Sequence, residues 1–178
     1  MFFKRQVFLF LFLLSSTAAF SQVVINEVCA INGNGIVDED GDNSDWIELY
    51  NKGTNAINIL NYSISDRSNE RKFTFPSITI LPDSFLLIFV SDKDRLLPIV
   101  HTNFKISEGE TIYLFSESGK IADSFVLNET QLDHSIGRFP DGSSIKYIYT
   151  NPSPGNVNAV SQFQFYTVAP QFSLQQNF

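Results

Sequence analysis

The sequence predicts an all-β sandwich, on three observations. Short runs rich in Val, Ile, Phe, Tyr and Thr recur between turn residues at the intervals expected of such a fold. Two of these runs alternate with the period of a pleated strand: Ile47/Leu49 against Trp46/Glu48/Tyr50, and Phe73/Phe75 against Lys72/Thr74. Amphipathic spacing of helical period and useful length is absent, and so are heptads. Together these give about seven to nine mostly antiparallel strands, each with one face in the core and one in water.

In chain order, the predicted strands are 22–30 (QVVINEVCA), 44–51 (SDWIELYN), 56–65 (AINILNYSIS) and 72–76 (KFTFP). After them come 85–91 (FLLIFVS), 111–116 (TIYLFS), 121–127 (IADSFVL) and 146–150 (KYIYT). Turn chemistry separates them. The loops at 51–55 (NKGTN) and 117–120 (ESGK) place Gly53 and Gly119 where a hairpin needs positive φ. Pro82 and Pro140 stand where a strand must stop and a tight turn begins. Phe is abundant, and most of it is expected to fill the space between two sheets. On the alternation, Trp46 and Tyr50 lie opposite the core-facing pair, which makes them candidates for an exposed recognition face.

The first 21 residues read as an export signal. Lys4 and Arg5 precede the apolar run 7–14, and Ala19 and Ser21 supply the small positions for cleavage before Gln22. The run is far shorter than the roughly 20 residues that span a bilayer, so no membrane insertion is expected after cleavage. Removing 21 of the 178 residues leaves 157, the length of one domain. It also takes the net charge from −7 to −9, through loss of Lys4 and Arg5. A chain this acidic is a poor partner for nucleic acid, whose binding rests on clustered cations. Cys29 is the single cysteine, which excludes an internal disulfide and reads as a small buried strand residue.

The densest chemistry is the stretch 38–45 (DEDGDNSD). Asp38, Asp40, Asp42 and Asp45 stand at i, i+2, i+4 and i+7 with Gly41 at the bend, a pattern from which calcium could draw carboxylate oxygens. An EF-hand is excluded, because its sixth and twelfth positions are here Asn43 and Leu49. The alternative is a solvated acidic turn in which Ser44 or Asp45 bonds nearby backbone amides. Paired catalytic carboxylates fit least, since such pairs come from separate elements across a cleft. No catalytic residue and no cofactor is therefore assigned, and calcium stands as the one candidate ion. His101 and His134 belong to no ligand motif and read as structural, and Ser135 beside His134 lacks a nucleophile elbow. Arg138 is expected to pair with an acidic neighbour as the segment from His134 closes the sandwich.

Several stretches, taken in order, resemble the lamin tail domain in its bacterial exported form. They are 25–28 (INEV), 38–51 (DEDGDNSDWIELYN), 57–66 (INILNYSISD) and 73–89 (FTFPSITILPDSFLLIF), then 101–110 (HTNFKISEGE), 134–142 (HSIGRFPDG) and 150–158 (TNPSPGNVN). The resemblance implies an immunoglobulin-like sandwich over 22–158. It also implies a non-catalytic module for adhesion, protein interaction or positioning, with a protein or surface polymer as partner. A second role is implied as well: the N-terminal accessory domain of a larger secreted or surface enzyme, nuclease-like or surface-kinase-like. Residues 159–178, which alternate Phe163 and Phe165 with glutamines, read as a linker or the start of a further module. The expected location is periplasmic, cell-surface or extracellular.

Overall fold

The computed structural model describes residues 21–160 and 162–166. The expected export signal up to Phe20 and the tail from Thr167 lie outside the described residues. Every regular element among the described residues is a strand, and no helix is long and apolar enough to cross a membrane. In order they are β1 (Val23–Cys29), β2 (Trp46–Asn51), β3 (Ile57–Asn58), β4 (Ser63–Ser65), β5 (Phe73–Thr74) and β6 (Thr79–Ile80). The second half adds β7 (Phe85–Phe89), β8 (Val100–His101), β9 (Thr111–Phe115), β10 (Ile121–Val126), β11 (Ser135–Arg138) and β12 (Lys146–Tyr149).

One sheet has the order β12-β11-β1-β2-β7-β8 and the other β10-β9-β4-β5, with a small β3-β6 ribbon beside them. All pairings are antiparallel except β7 with β8. Between the two large sheets lies one apolar core. Val23, Ile25, Val28, Ile47, Leu49, Ile88 and Ile136 reach it from the first sheet, and Ile64, Ile112, Leu114 and Phe125 from the second. Arg138 crosses from β11 to β10, where its Nη2 lies 3.0 Å from Asp123. Asp123 in turn accepts from Ile25 N at 2.8 Å, so one ion pair ties both sheets together.

Three elements depart from the expected pattern. The run 56–65 is not one strand: a turn with Asn61 at φ 62° splits it into β3 and β4, which serve different sheets. β6, β8 and β11 are strands beyond the predicted runs, bringing the described total to twelve. The third departure is a bulge in β1. Ile25 faces Leu49 and Glu27 faces Glu48, so Asn26 is an extra residue and the side-chain alternation shifts by one. Without it Glu27 would enter the core and Val28 would leave it.

The expectation of a wet outer face on β2 is also corrected. Trp46 is 1% exposed and Glu48 0% exposed, whereas Tyr50 is partly exposed. Trp46 packs with Cys29 and Phe89, against Ile36, Leu87 and Ile99, in a second apolar cluster on the far side of the six-stranded sheet. Trp46 is therefore packed into this cluster and is not an exposed aromatic. Tyr50 stacks on Phe85 at 4.9 Å and its hydroxyl bonds Asp83 at 3.0 Å.

Candidate functional site

The acidic loop between β1 and β2 is tied up by its own turn before anything else reaches it. Asp38 N donates to Asp42 O at 2.9 Å, and Gly41 N to Asp38 O at 3.0 Å with Gly41 at φ 85°. The Asp38 carboxylate accepts from Asp40 N and Asp42 N at 3.0 Å each and from Ser44 Oγ at 2.9 Å. Into the middle comes Lys93, from the segment after β7. Its Nζ lies 2.6 Å from Asp38, 2.8 Å from Asp40 and 2.9 Å from Asp42. Arg95 bonds Glu39 and Asp40, and His101 Nε2 lies 2.8 Å from Glu39 while its Nδ1 lies 2.8 Å from Ser91 Oγ.

The electrostatics follow from that neutralisation. Burial works to raise the Asp38 carboxyl, but Lys93 and the converging donors override it and hold it well below the usual carboxylate range. Burial likewise opposes the Lys93 charge, and three carboxylates hold its ammonium above the ordinary lysine value. Asp38, Asp40 and Asp42 do come together, with one oxygen of each within 4.8 Å of the others. Asp45 does not join them. It turns inward, accepts Asn32 N at 3.0 Å, and burial pushes its carboxyl up. A divalent ion at the three-aspartate position would have to displace Lys93.

A second polar centre lies on the outer face of the six-stranded sheet. Glu27 and Glu48 occupy directly opposed positions on β1 and β2, and both are 0% exposed. Glu27 accepts from Ser135 Oγ, from Ser153 Oγ at 3.2 Å and from Ser153 N at 3.2 Å. Glu48 accepts from Asn26 Nδ2 at 3.1 Å and from Gly155 N at 2.6 Å. Asn158 Nδ2 completes the cover by donating to Arg138 O at 2.8 Å. Gly137 on β11 is required here. A Cβ added to it would stand 2.7 Å from Asn158 Nδ2, 3.0 Å from the Tyr149 ring and 3.2 Å from Glu27 Cγ. Burial pushes Glu27 up to about 7 and Glu48 up to about 8, against hydrogen bonds that pull both down.

At one end of this face the loops frame a cleft of about 260 Å³. Cys29 and Trp46 line it from the sheet, and Pro152 and Pro154 form a wall. The rim carries Asn32, Asn34, Asp133 and Asn151. The rim is held in place by its own bonds. Asp133, at φ 63°, accepts from Gly33 N and Asn34 N at 2.7 Å each and from Asn34 Nδ2 at 2.9 Å. Asn32 Nδ2 donates to Ile36 O at 2.7 Å and Ser44 O at 2.8 Å. Burial pushes the Cys29 thiol up to about 12, so it is an apolar lining group and not a nucleophile. The two histidines stay in structural bonds, His134 through its Nδ1, 2.8 Å from the Tyr166 hydroxyl.

The two sheets and the apolar core between them define an immunoglobulin-like β-sandwich, a fold that presents ligands to loops at its ends or to its faces. The Lamin Tail Domain family model matches residues 16–129, and the chain belongs to that family. It is an immunoglobulin-like domain of the binding type. β11, β12 and the segment over Glu27 and Glu48 follow the matched stretch. Comparison with curated proteins finds no match.

Proposed function

We propose that this chain is an exported, non-catalytic binding or positioning module whose ligand enters the cleft between Asn34, Asp133 and Asn151. The observation that carries the reading is the cleft itself, an apolar floor under a rim of amide and carboxylate groups already fixed by hydrogen bonds. Such a rim recognises hydroxyl and amide groups without first ordering loops, which lowers the entropic cost of binding. The partner class that fits is a surface polysaccharide or an extended peptide of a surface protein. Whether the module acts alone or serves a larger secreted enzyme does not alter this site.

The test uses Asn151→Trp. Asn151 is exposed, and among the described residues its side chain bonds only Thr150 Oγ1, at 3.3 Å, so the bulk fills the cleft without breaking the rim. Wild type and variant are passed over arrays of surface polysaccharides and extended peptides. Retention of wild type and loss in the variant supports the cleft. Equal retention removes it. Export is tested separately, by expression with the leader and mass spectrometry of the released protein, which is expected to begin at Gln22.

A further inference from the structure

The segment 150–158 crosses the outer face of the six-stranded sheet without joining its ladder. Its one backbone–backbone bond among the described residues is internal, Asn156 N to Ser153 O at 2.9 Å. What holds it down is side-chain chemistry: Ser153 N and Oγ on Glu27, Gly155 N on Glu48, and Asn158 on Arg138 O and Asp141. Beneath it two acidic groups lie side by side, fully buried, on neighbouring strands. We propose that 150–158 is a proton-controlled strap, closed while Glu27 and Glu48 are held protonated beneath it and released when both become ionised.

The surroundings leave the pair's charge uncompensated. From β11 come Ser135 and Arg138, but the guanidinium is turned to Asp123 and Ile25 O. The loop after β11 adds another acid, Asp141, which shares Asn26 Nδ2 with Glu48. From β12 comes the Tyr149 hydroxyl, buried and without a hydrogen-bond partner among the described residues. The Tyr149 ring and Glu27 Cγ both flank Gly137, so the aromatic ring, and no cation, covers this side of the pair. β7 presents Leu87 opposite Glu48, and the strap has no titratable residue. Among the described residues no Lys or Arg contacts either glutamate. Two adjacent carboxylates without a cation cannot both ionise in a buried site at low cost.

The sign follows from linkage. Glu27 and Glu48 sit at about 7 and about 8 when covered and return toward 4.5 once the strap lifts and water reaches them. Opening therefore releases protons and is favoured as pH rises, by about tenfold per pH unit for each proton released. Since Pro152 and Pro154 wall the cleft, the strap also sets the cleft's shape. That consequence rests on the binding reading above; the strap itself does not.

Hydrogen–deuterium exchange of the full chain, read by mass spectrometry at pH 6.5 and 8.5 and corrected for intrinsic exchange, tests the idea. The peptide spanning 150–158 is expected to lose protection by tenfold or more at the higher pH, while β1 and β2 stay protected. The Glu27→Gln, Glu48→Gln double variant is expected to remove that dependence. If it does not fold, carboxyl-carbon NMR of wild type replaces it, and a glutamate titration between pH 6 and 9 that tracks strap exchange supports the proposal. Strap protection that is unchanged with pH overturns it, and so does opening in step with β1 and β2. Loss of cleft binding in Asn151→Trp is scored apart from either result, so the two readings fail separately.

Discussion

Replacing Lys93 by Met isolates what the acidic loop contributes. The substitution keeps the apolar stem and removes the ammonium that lies 2.6 to 2.9 Å from three aspartates. Asp40 and Asp42 are exposed, so solvent screens their pairs with Lys93 and their loss matters little. Asp38 decides the total. Its side chain is fully covered, and breaking a buried pair by removing one partner costs about 3–5 kcal/mol. Because Asp38 keeps Ser44 Oγ and two backbone N–H donors, the expected loss is smaller, about 2–3 kcal/mol. For a domain of this size that lowers Tm by about 5–10 °C. Urea unfolding of K93M, D38N and the double variant is the assay, with a coupling of about 1–3 kcal/mol expected in the cycle. The same melts in millimolar calcium carry the second half. Wild type is expected to stay within a degree, because its own ammonium fills the position. K93M leaves three unpaired carboxylates and is expected to gain several degrees, as about 2.7 kcal/mol would at 100 times Kd. A K93M loss below about 0.5 kcal/mol would refute the reasoning. A calcium shift in wild type that Asp40→Asn abolishes would make the loop a metal site that expels Lys93.

The remaining predictions concern the outer face. Global stability is expected to fall as pH rises from 6 to 8, by about 1.4 kcal/mol per unit for each proton the folded state holds in excess, because the folded values of Glu27 and Glu48 lie above the unfolded 4.5. Flat stability over that window in urea titrations would show that the pair is ionised in the fold. Trp46→Ala is expected to cost about 3–5 kcal/mol, as for a buried aromatic, and a loss under 1 kcal/mol would return Trp46 to the surface. Gly137→Ala is expected to cost about 1–3 kcal/mol by pressing on Asn158, Tyr149 and Glu27, and unaltered strap exchange in that variant would contradict the tight packing.

The core face of the sandwich was legible because alternation is its direct physical consequence. Ile47 and Leu49 turn inward, as do Phe73 and Phe75, and the eight predicted runs all contain strands. The two-residue strands β6 and β8 were not legible, since so few side chains cannot display a period. β11 was hidden by Gly137 and by polar ends at Ser135 and Arg138. The acidic loop was half legible. Spacing alone indicated that Asp38, Asp40 and Asp42 could converge, but Asp45 faces Asn32, and nothing local to the loop indicated that Lys93 would arrive from the segment after β7.

Alternation distinguishes two faces of a strand; it does not say whether the second face meets water. β2 shows the difference. Trp46 and Glu48 occupy the polar-looking phase, and both are buried because the loop with Ile36 and the strap with Ser153 and Gly155 come down over them. A signal for this did exist in the composition of that face. An acid flanked by Trp46 and Tyr50, facing a strand whose phase slips at Asn26, is costly to leave beside apolar neighbours unless donors are brought to it. The donors from the strap are supplied by residues without charge, Ser153 and Gly155, 126 and 107 residues away in the chain from the acids they meet. A cationic cover would have fixed the glutamates as ions and made the clasp permanent. A neutral one leaves their protonation free to follow pH, and that is why the strap, and not the acidic loop, is the part of this domain whose state solution conditions can set.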